Sequence, residues 1–144
     1  MCDQVLEGHG ATVWALALNA DGTRLATCDH TGAVFLWAEA GHGGKWARAA
    51  ALPAAAGPPA TLFDVAWAPG ADGRLATCGA DDALRVWAPA DGADRDVLAL
   101  RAEAKGAHAG DVNAVAWRPA GGDGACLLAS VGDDELVRIW ELAL

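Results

Sequence analysis

"LATCGADDALRVW" occupies Leu75 to Trp87. Upstream, Leu25 to Trp37 reads "LATCDHTGAVFLW", and downstream, Leu128 to Trp140 reads "LASVGDDELVRIW". The closing tryptophans lie fifty and then fifty-three residues apart. Self-similarity at such a period is the mark of a repeat architecture, in which each copy is one supersecondary unit. Each copy opens on a short apolar run, passes through polar turn residues, and resumes an apolar run that ends at Trp. Runs this short, rich in Leu, Val, Ile and Trp and broken by Gly and Asp, predict a strand, a tight turn and a second strand.

A further strand is predicted just before each copy. "TVWALAL" (12–18), "LFDVAWAP" (62–69) and "DVNAVAWRP" (111–119) alternate or run apolar. They end at the turn signals "NADG", "PGADG" and "PAGGDG". After two of the tryptophans come "KWARAAAL" (45–52) and "RDVLALRA" (95–102), weaker strands whose charges suit an exposed sheet edge. The unit is therefore four strands, a to d, joined by short turns. The opening "CDQVLEG" is expected to supply one more outer strand. The repeats are placed at about residues 2–39, 45–89 and 95–142.

Gly8-His9, the "LATC" or "LAS" of the second strand, and the Trp that closes the third together resemble the WD-repeat β-propeller family. The resemblance implies an all-β chain: three four-stranded antiparallel blades forming an incomplete propeller. It also implies a hydrogen-bonded network inside each blade, linking a His before strand a, a Ser or Thr in strand b, an Asp in the b–c turn and the strand-c Trp. The third unit has the full set, in His108, Ser130, Asp134 and Trp140. The second has Thr77, Asp81 and Trp87, with Pro58 in place of His. The first has His9, Thr27 and Trp37, with Thr31 in place of Asp. The third blade is accordingly expected to be the most sharply specified. The alternative, a Ser-His-Asp nucleophile set, is set aside because the same residue types recur by repeat position in strands and tight turns.

Whole segments resemble a narrower group. "LEGHGATVWALALNADGTRLATCD", "TLFDVAWAPGADGRLATCGADDALRVW" and "AHAGDVNAVAWRP" with "LLASVGDDELVRIW" are similar, in order, to the last three blades of the WD-repeat subunits of the cytosolic iron–sulfur protein assembly (CIA) targeting complex. That resemblance implies a non-catalytic scaffold that holds companion subunits of the complex and recruits client apoproteins, without a cofactor or cluster of its own. The alternatives are a WD-repeat scaffold of an unrelated complex, or a propeller fragment without independent function. The resembled family has seven blades, so three would form an arc with two uncovered faces, and self-association through open blade edges is expected.

Strand parity places the d–a and b–c connections on one face. It gathers Thr12, Trp14, Thr61, Phe63, Asp111 and Asn113 with the turn residues His30, Ala80 and Asp133. Trp14 and Phe63 are the candidate apolar anchors of a partner surface, with Asp111, Asn113 and Asp133 as its polar rim. Packing of Trp14 and Phe63 between blades is the alternative. Arg95 and Asp96, on the opposite face, are expected to be solvated.

The formal net charge is −9 and no basic cluster exists, which argues against a phosphate-backbone ligand. No apolar run approaches the eighteen or so residues of a membrane helix. The opening "MCDQVLEGHG" lacks the basic and apolar regions of a signal peptide, so the expected location is cytosolic, or nuclear by passage. Cys2, Cys28, Cys78 and Cys126 follow no CxxC spacing. Cys28 and Cys78 share one repeat position and are expected to be small buried hydrophobes rather than ligands. No catalytic, cofactor or metal residue is assigned.

Overall fold

The computed structural model describes residues 1–40, 44–54, 57–70, 72–92, 94–119 and 126–142. These residues form three antiparallel sheets, each built from strands consecutive in sequence. Blade 1 contains β1 (Val13–Leu18), β2 (Arg24–Asp29), β3 (Val34–Ala40) and β4 (Lys45–Ala51). Blade 2 contains β5 (Leu62–Trp67), β6 (Leu75–Gly79), β7 (Leu84–Pro89) and β8 (Leu98–Ala104). Blade 3 contains β9 (Val112–Trp117), β10 (Cys126–Gly132) and β11 (Val137–Leu142). Strands pair with their chain neighbours in order, as tight turns between antiparallel strands require.

The register repeats along with the sequence. Leu25 faces Trp37, Leu75 faces Trp87, and Leu128 faces Trp140 across their ladders. Bulges recur too: the pairing slips after Val13 in β1 and after Leu62 in β5. It slips again just before the tryptophan in β3 and in β7. A bulge adds local twist, and its recurrence at one repeat position gives the blades a common curvature.

Two apolar cores lie between blades rather than within one. Ala26, Cys28, Val34 and Leu36 of blade 1 pack on Leu62, Val65, Leu75 and Trp87 of blade 2. Ala76, Cys78, Leu84 and Val86 of blade 2 pack on Val115 and Leu128 of blade 3. The leading side of one blade thus covers the trailing side of the next. Each Leu or Val so covered contributes about 1.5–3 kcal/mol. Indole donors add direction to these seams: Trp67 Nε1 donates to the Ala17 carbonyl (3.1 Å) and Trp117 Nε1 to the Ala66 carbonyl (2.9 Å). Cys28 and Cys78 are fully buried in the cores, as their shared position predicts. Desolvation pushes the Cys28 thiol up to about 12, and it raises that of Cys78 as well.

One expected element is not a strand. Residues 1–9 carry no strand pairing, and blade 3 has three strands among the described residues. Instead, the opening segment lies against blade 1. The Gln4 side-chain amide donates to the Trp46 carbonyl (2.7 Å) and accepts from the Trp46 amide (2.8 Å). A primary amide presents the same donor and acceptor pair as a peptide unit, so one side chain stands in for a strand on the free edge of β4. The Asp96 expectation is corrected as well. Its carboxylate accepts from Arg24 Nε at 2.6 Å, tying a blade 2 loop to β2 instead of standing in solvent.

Candidate functional site

The blade networks form, though not all as the sequence positions imply. In blade 3, His108 Nδ1 lies 2.7 Å from Asp134 Oδ1 and Nε2 lies 2.8 Å from Ser130 Oγ. The Trp140 indole donates to the same Ser130 oxygen at 2.9 Å. A carboxylate only accepts, so the bond to Asp134 assigns the proton to Nδ1 and leaves Nε2 to accept from the Ser130 hydroxyl; Arg138 Nη1, also 2.7 Å from Nδ1, then donates to Asp134 and not to the ring. The donor chain runs from indole to hydroxyl to imidazole to carboxylate. Asp134 also takes Arg138 (2.6 Å) and the backbone amides of Ala109 and Leu136. The hydrogen bond from His108, with those from Arg138 and the amides, holds its carboxyl well below the usual range.

Blade 1 has the same relay with a different carboxylate. His9 Nε2 lies 2.7 Å from Thr27 Oγ1, which accepts from the Trp37 indole at 2.9 Å. His9 Nδ1 lies 2.7 Å from Asp29 Oδ2. Thr31, expected to mark a missing carboxylate, instead donates its hydroxyl (2.7 Å) and amide (2.8 Å) to Asp29 Oδ1. Asp29 stands two residues after the strand-b hydroxyl, where blades 2 and 3 have Gly79 and Gly132. A Cβ at Gly132 would lie 2.6 Å from His108 Cγ, so blade 3 cannot place a side chain there. Burial alone would push the Asp29 carboxyl up, but the hydrogen bonds from Thr31, His9 and Ala33 outweigh it and hold the carboxyl below its ordinary value.

Blade 2 keeps the hydroxyl–indole pair, Trp87 Nε1 to Thr77 Oγ1 at 3.0 Å, but has no imidazole. Buried Arg85 engages both acids around it, with Nη2 to Asp81 Oδ2 at 2.6 Å and Nε to Glu103 Oε1 at 2.8 Å. Desolvation would lower the Arg85 guanidinium, yet its bonds to Asp81 and Glu103 leave it raised. A cavity of about 110 Å³ borders this group, lined by Pro58, Thr77, Asp81, Arg85 and Trp87 among others. Among the described residues, no buried side-chain polar atom lacks a hydrogen-bond partner. The His108 set has the connectivity of a nucleophile triad, but Ser130 is 1% exposed and its oxygen is already bonded by the Trp140 indole. No substrate can reach it in this conformation.

These networks fix the face that the sequence marks for partners. At each blade a backbone hydrogen bond ties the b–c turn to the start of strand a: His30 N to Thr12 O (2.9 Å), Ala80 N to Thr61 O (2.9 Å) and Asp133 N to Asp111 O (3.0 Å). The two sets of connections do share a face. Trp14 and Phe63 meet edge-on, with ring centroids 5.7 Å apart, bridging blades 1 and 2. The Trp14 ring is nonetheless 51% exposed, so packing between blades leaves half of it available. Asn113 donates to Asp133 Oδ1 at 2.7 Å, and both remain exposed beside Asp111. Thr61 donates to the His30 carbonyl at 3.1 Å, a second link across the seam that the aromatic pair bridges. The arrangement is an apolar pair between blades 1 and 2 and hydrogen-bonded polar residues on blade 3. Sequence reading missed Asp29, Arg85 and Gln4. The Arg85 link had a visible signal, because Asp81-Arg85 and Asp134-Arg138 share an i,i+4 spacing.

Comparison with known proteins follows this geometry. The chain is 30% identical over 149 aligned residues to the probable cytosolic iron-sulfur protein assembly protein Ciao1 of Culex quinquefasciatus, covering 94% of the chain and 42% of that protein. It is 45% identical over 53 residues to Protein CIA1 of Arabidopsis thaliana, covering 37% of the chain and 14% of that protein. A probable cytosolic Fe-S cluster assembly factor of Schizosaccharomyces pombe is 56% identical over 32 residues, covering 22% of the chain and 5% of that protein. The chain thus spans less than half the length of these curated relatives. The family model "WD domain, G-beta repeat" matches residues 1–38 and 103–141, more than half of the chain. With three consecutive blades and a His-hydroxyl-Trp relay in two of them, this chain belongs to the WD-repeat family.

Proposed function

We propose that the chain is a non-catalytic protein-interaction scaffold in cytosolic iron–sulfur protein assembly, holding companion subunits of the CIA targeting complex and recruiting client apoproteins. The observation that carries this reading is the likeness to a cytosolic iron-sulfur assembly protein along 94% of the chain. A cytosolic location belongs to this reading and is supported by the names of two relatives, which are called cytosolic. The face formed by Trp14, Phe63, Asp111, Asn113 and Asp133 supports the reading, with half-exposed Trp14 against Phe63 as an aromatic anchor and the exposed Asn113–Asp133 pair as a polar rim. The net charge of −9 favours protein partners over nucleic acid.

Affinity purification from the native host tests the reading. The expected result is co-recovery of other iron–sulfur assembly proteins, reduced by a Trp14→Ala, Asp133→Lys double variant that keeps its circular dichroism spectrum. Recovery of a different stable set of proteins overturns it.

A further inference from the structure

Blade 2 builds the seat of an imidazole without supplying the ring. Pro58 stands at the position of His9 and His108, and Pro59 at that of Gly10 and Ala109. In blade 3 the Asp134 carboxylate takes four donors: the His108 ring, the Ala109 and Leu136 amides and Arg138. Asp81, its counterpart, takes two, the Ala83 amide at 3.3 Å and Arg85 at 2.6 Å. The donors it lacks are the ring and the amide of the next residue, because proline offers neither a side-chain nor a backbone N–H. The carboxylate position used in blade 1 is closed to blade 2, since a Cβ at Gly79 would run into the Thr61 carbonyl. The hydroxyl end shows the matching gap. Thr77 is fully buried and accepts from the Trp87 indole, but among the described residues its hydroxyl hydrogen has no acceptor. Thr27 and Ser130 give theirs to an imidazole.

The cavity of about 110 Å³ is lined by both ends, Thr77 and Asp81, and by Pro58, with Val34, Leu62 and Trp87 as apolar walls. We propose that this cavity binds an imidazole ring from outside the chain, its N–H donating to Asp81 and its second nitrogen accepting from the Thr77 hydroxyl. The neutral ring suits the site, because it has one donor and one acceptor on opposite edges. The protonated ring would set a second cation beside Arg85. Arg85 itself leaves room: in blade 3, Arg138 lies 2.7 Å from the His108 ring, so a guanidinium and a ring fit side by side on one carboxylate. Water can satisfy each end singly, whereas a ring joins the two and lays its C–H edges on the apolar walls. A second depression, of about 350 Å³, shares Pro58, Asp81 and Arg85 with the cavity and includes Ala80, in the b–c turn of the candidate partner face. The ring can therefore arrive as a free small molecule or as the histidine side chain of a docking protein.

The test follows thermal unfolding of the full chain with rising imidazole at about pH 8, where the free ring is neutral. The parent midpoint is expected to rise and to saturate in the millimolar range, as suits so small a ligand. N-methylimidazole keeps the acceptor but has no N–H for Asp81, and is expected to give no saturable rise. Pro58→His supplies the ring from the chain, and Thr77→Val removes the hydroxyl. Each is expected to abolish the imidazole response, and either serves alone if the other does not fold. Saturation-transfer NMR on the parent, with imidazole and N-methylimidazole in one sample, reads the same preference without any variant. A capped Gly-His-Gly peptide separates the two sources. Stabilisation at least equal to that by imidazole assigns the ring to a partner's histidine, and stabilisation by imidazole alone assigns it to a free small molecule. No saturable effect of imidazole, an equal effect of N-methylimidazole, or an undiminished response in folded Pro58→His overturns the proposal.

Discussion

Blades 1 and 3 place an imidazole between a hydroxyl and a carboxylate with nearly the same distances, but they draw the carboxylate from different positions. In blade 3 it is Asp134, four residues after Ser130 and in the b–c turn. In blade 1 it is Asp29, two residues after Thr27 and still on β2. The two solutions are linked to the space around the ring. Blade 3 needs glycine at the Asp29 position because His108 occupies the volume a Cβ would take. Blade 1 places a side chain there and gives the turn position to Thr31, which then serves the carboxylate as a donor. What is preserved between the blades is the chain of donors and acceptors, not the residue number that ends it.

The largest effects are expected at the indole end. Trp37 and Trp140 make the same hydrogen bond, but Trp37 is fully buried beside His9 and Phe35 whereas Trp140 is only half-buried against the core between blades 2 and 3. Trp37→Ala is expected to cost about 3–5 kcal/mol, the range for losing a fully buried aromatic. Trp140→Ala should cost clearly less. Denaturant midpoints at equal m-value decide this. Equal losses would mean that Trp140 is as well covered in solution as Trp37.

The carboxylates come next. Asp29→Ala leaves the His9 N–H and the Thr31 donors without their acceptor in a buried setting, at about 1–3 kcal/mol. Asp134→Ala is expected to cost less, because Asp134 is nearer the surface and water can replace it. Thr31→Ala removes one hydroxyl bond and should cost about 1 kcal/mol or less. The order Asp29, Asp134, Thr31 in chemical denaturation is the expected outcome. Both carboxyls are lowered by folding, so in acid the unfolded chain binds protons that the folded chain refuses. The stability they supply is complete above the ordinary carboxyl value of about 3.9 and is lost as pH falls through the folded values. An Asp29→Asn, Asp134→Asn double variant should therefore lose stability less steeply than the parent over about pH 5 to 2.

The blades themselves were legible because strand period, turn residues and the terminal tryptophan all repeat, and repetition averages out local ambiguity. His108, Ser130, Asp134 and Trp140 were legible as a set through the resemblance to the WD-repeat family, since Pro58 and Thr31 break the repetition in the other units. Asp29 was not, because a repeat alignment compares equal positions whereas the hydrogen bond needs only equal reach. Nor was the opening segment. "CDQVLEG" has the composition of an edge strand, but its contact with blade 1 is made by one Gln4 side chain, and side-chain mimicry of a backbone leaves no periodic trace. The pairing of Arg24 with Asp96 depends on how two blades sit together, which neither blade's sequence states alone.

The smallest expected effect lies in the b–c turns. Five residues before each closing Trp the backbone is left-handed: Gly32 at φ 83°, Asp82 at 57° and Glu135 at 65°. A side chain pays about 1–2 kcal/mol in this region because its Cβ crowds the following carbonyl. Glycine escapes that cost but loses about 0.5–1 kcal/mol more in backbone entropy on folding. Blade 1 needs glycine for a second reason, since a Cβ at Gly32 would lie 2.7 Å from the Ala60 carbonyl oxygen. Glu135 meets no such wall and is exposed. Glu135→Gly is therefore expected to raise stability slightly, by a few tenths to about 1 kcal/mol, whereas Gly32→Ala should lower it by more. Paired denaturation curves compare them. A loss of stability in Glu135→Gly would show that the Glu135 side chain makes a contact in solution that outweighs the strain of its backbone.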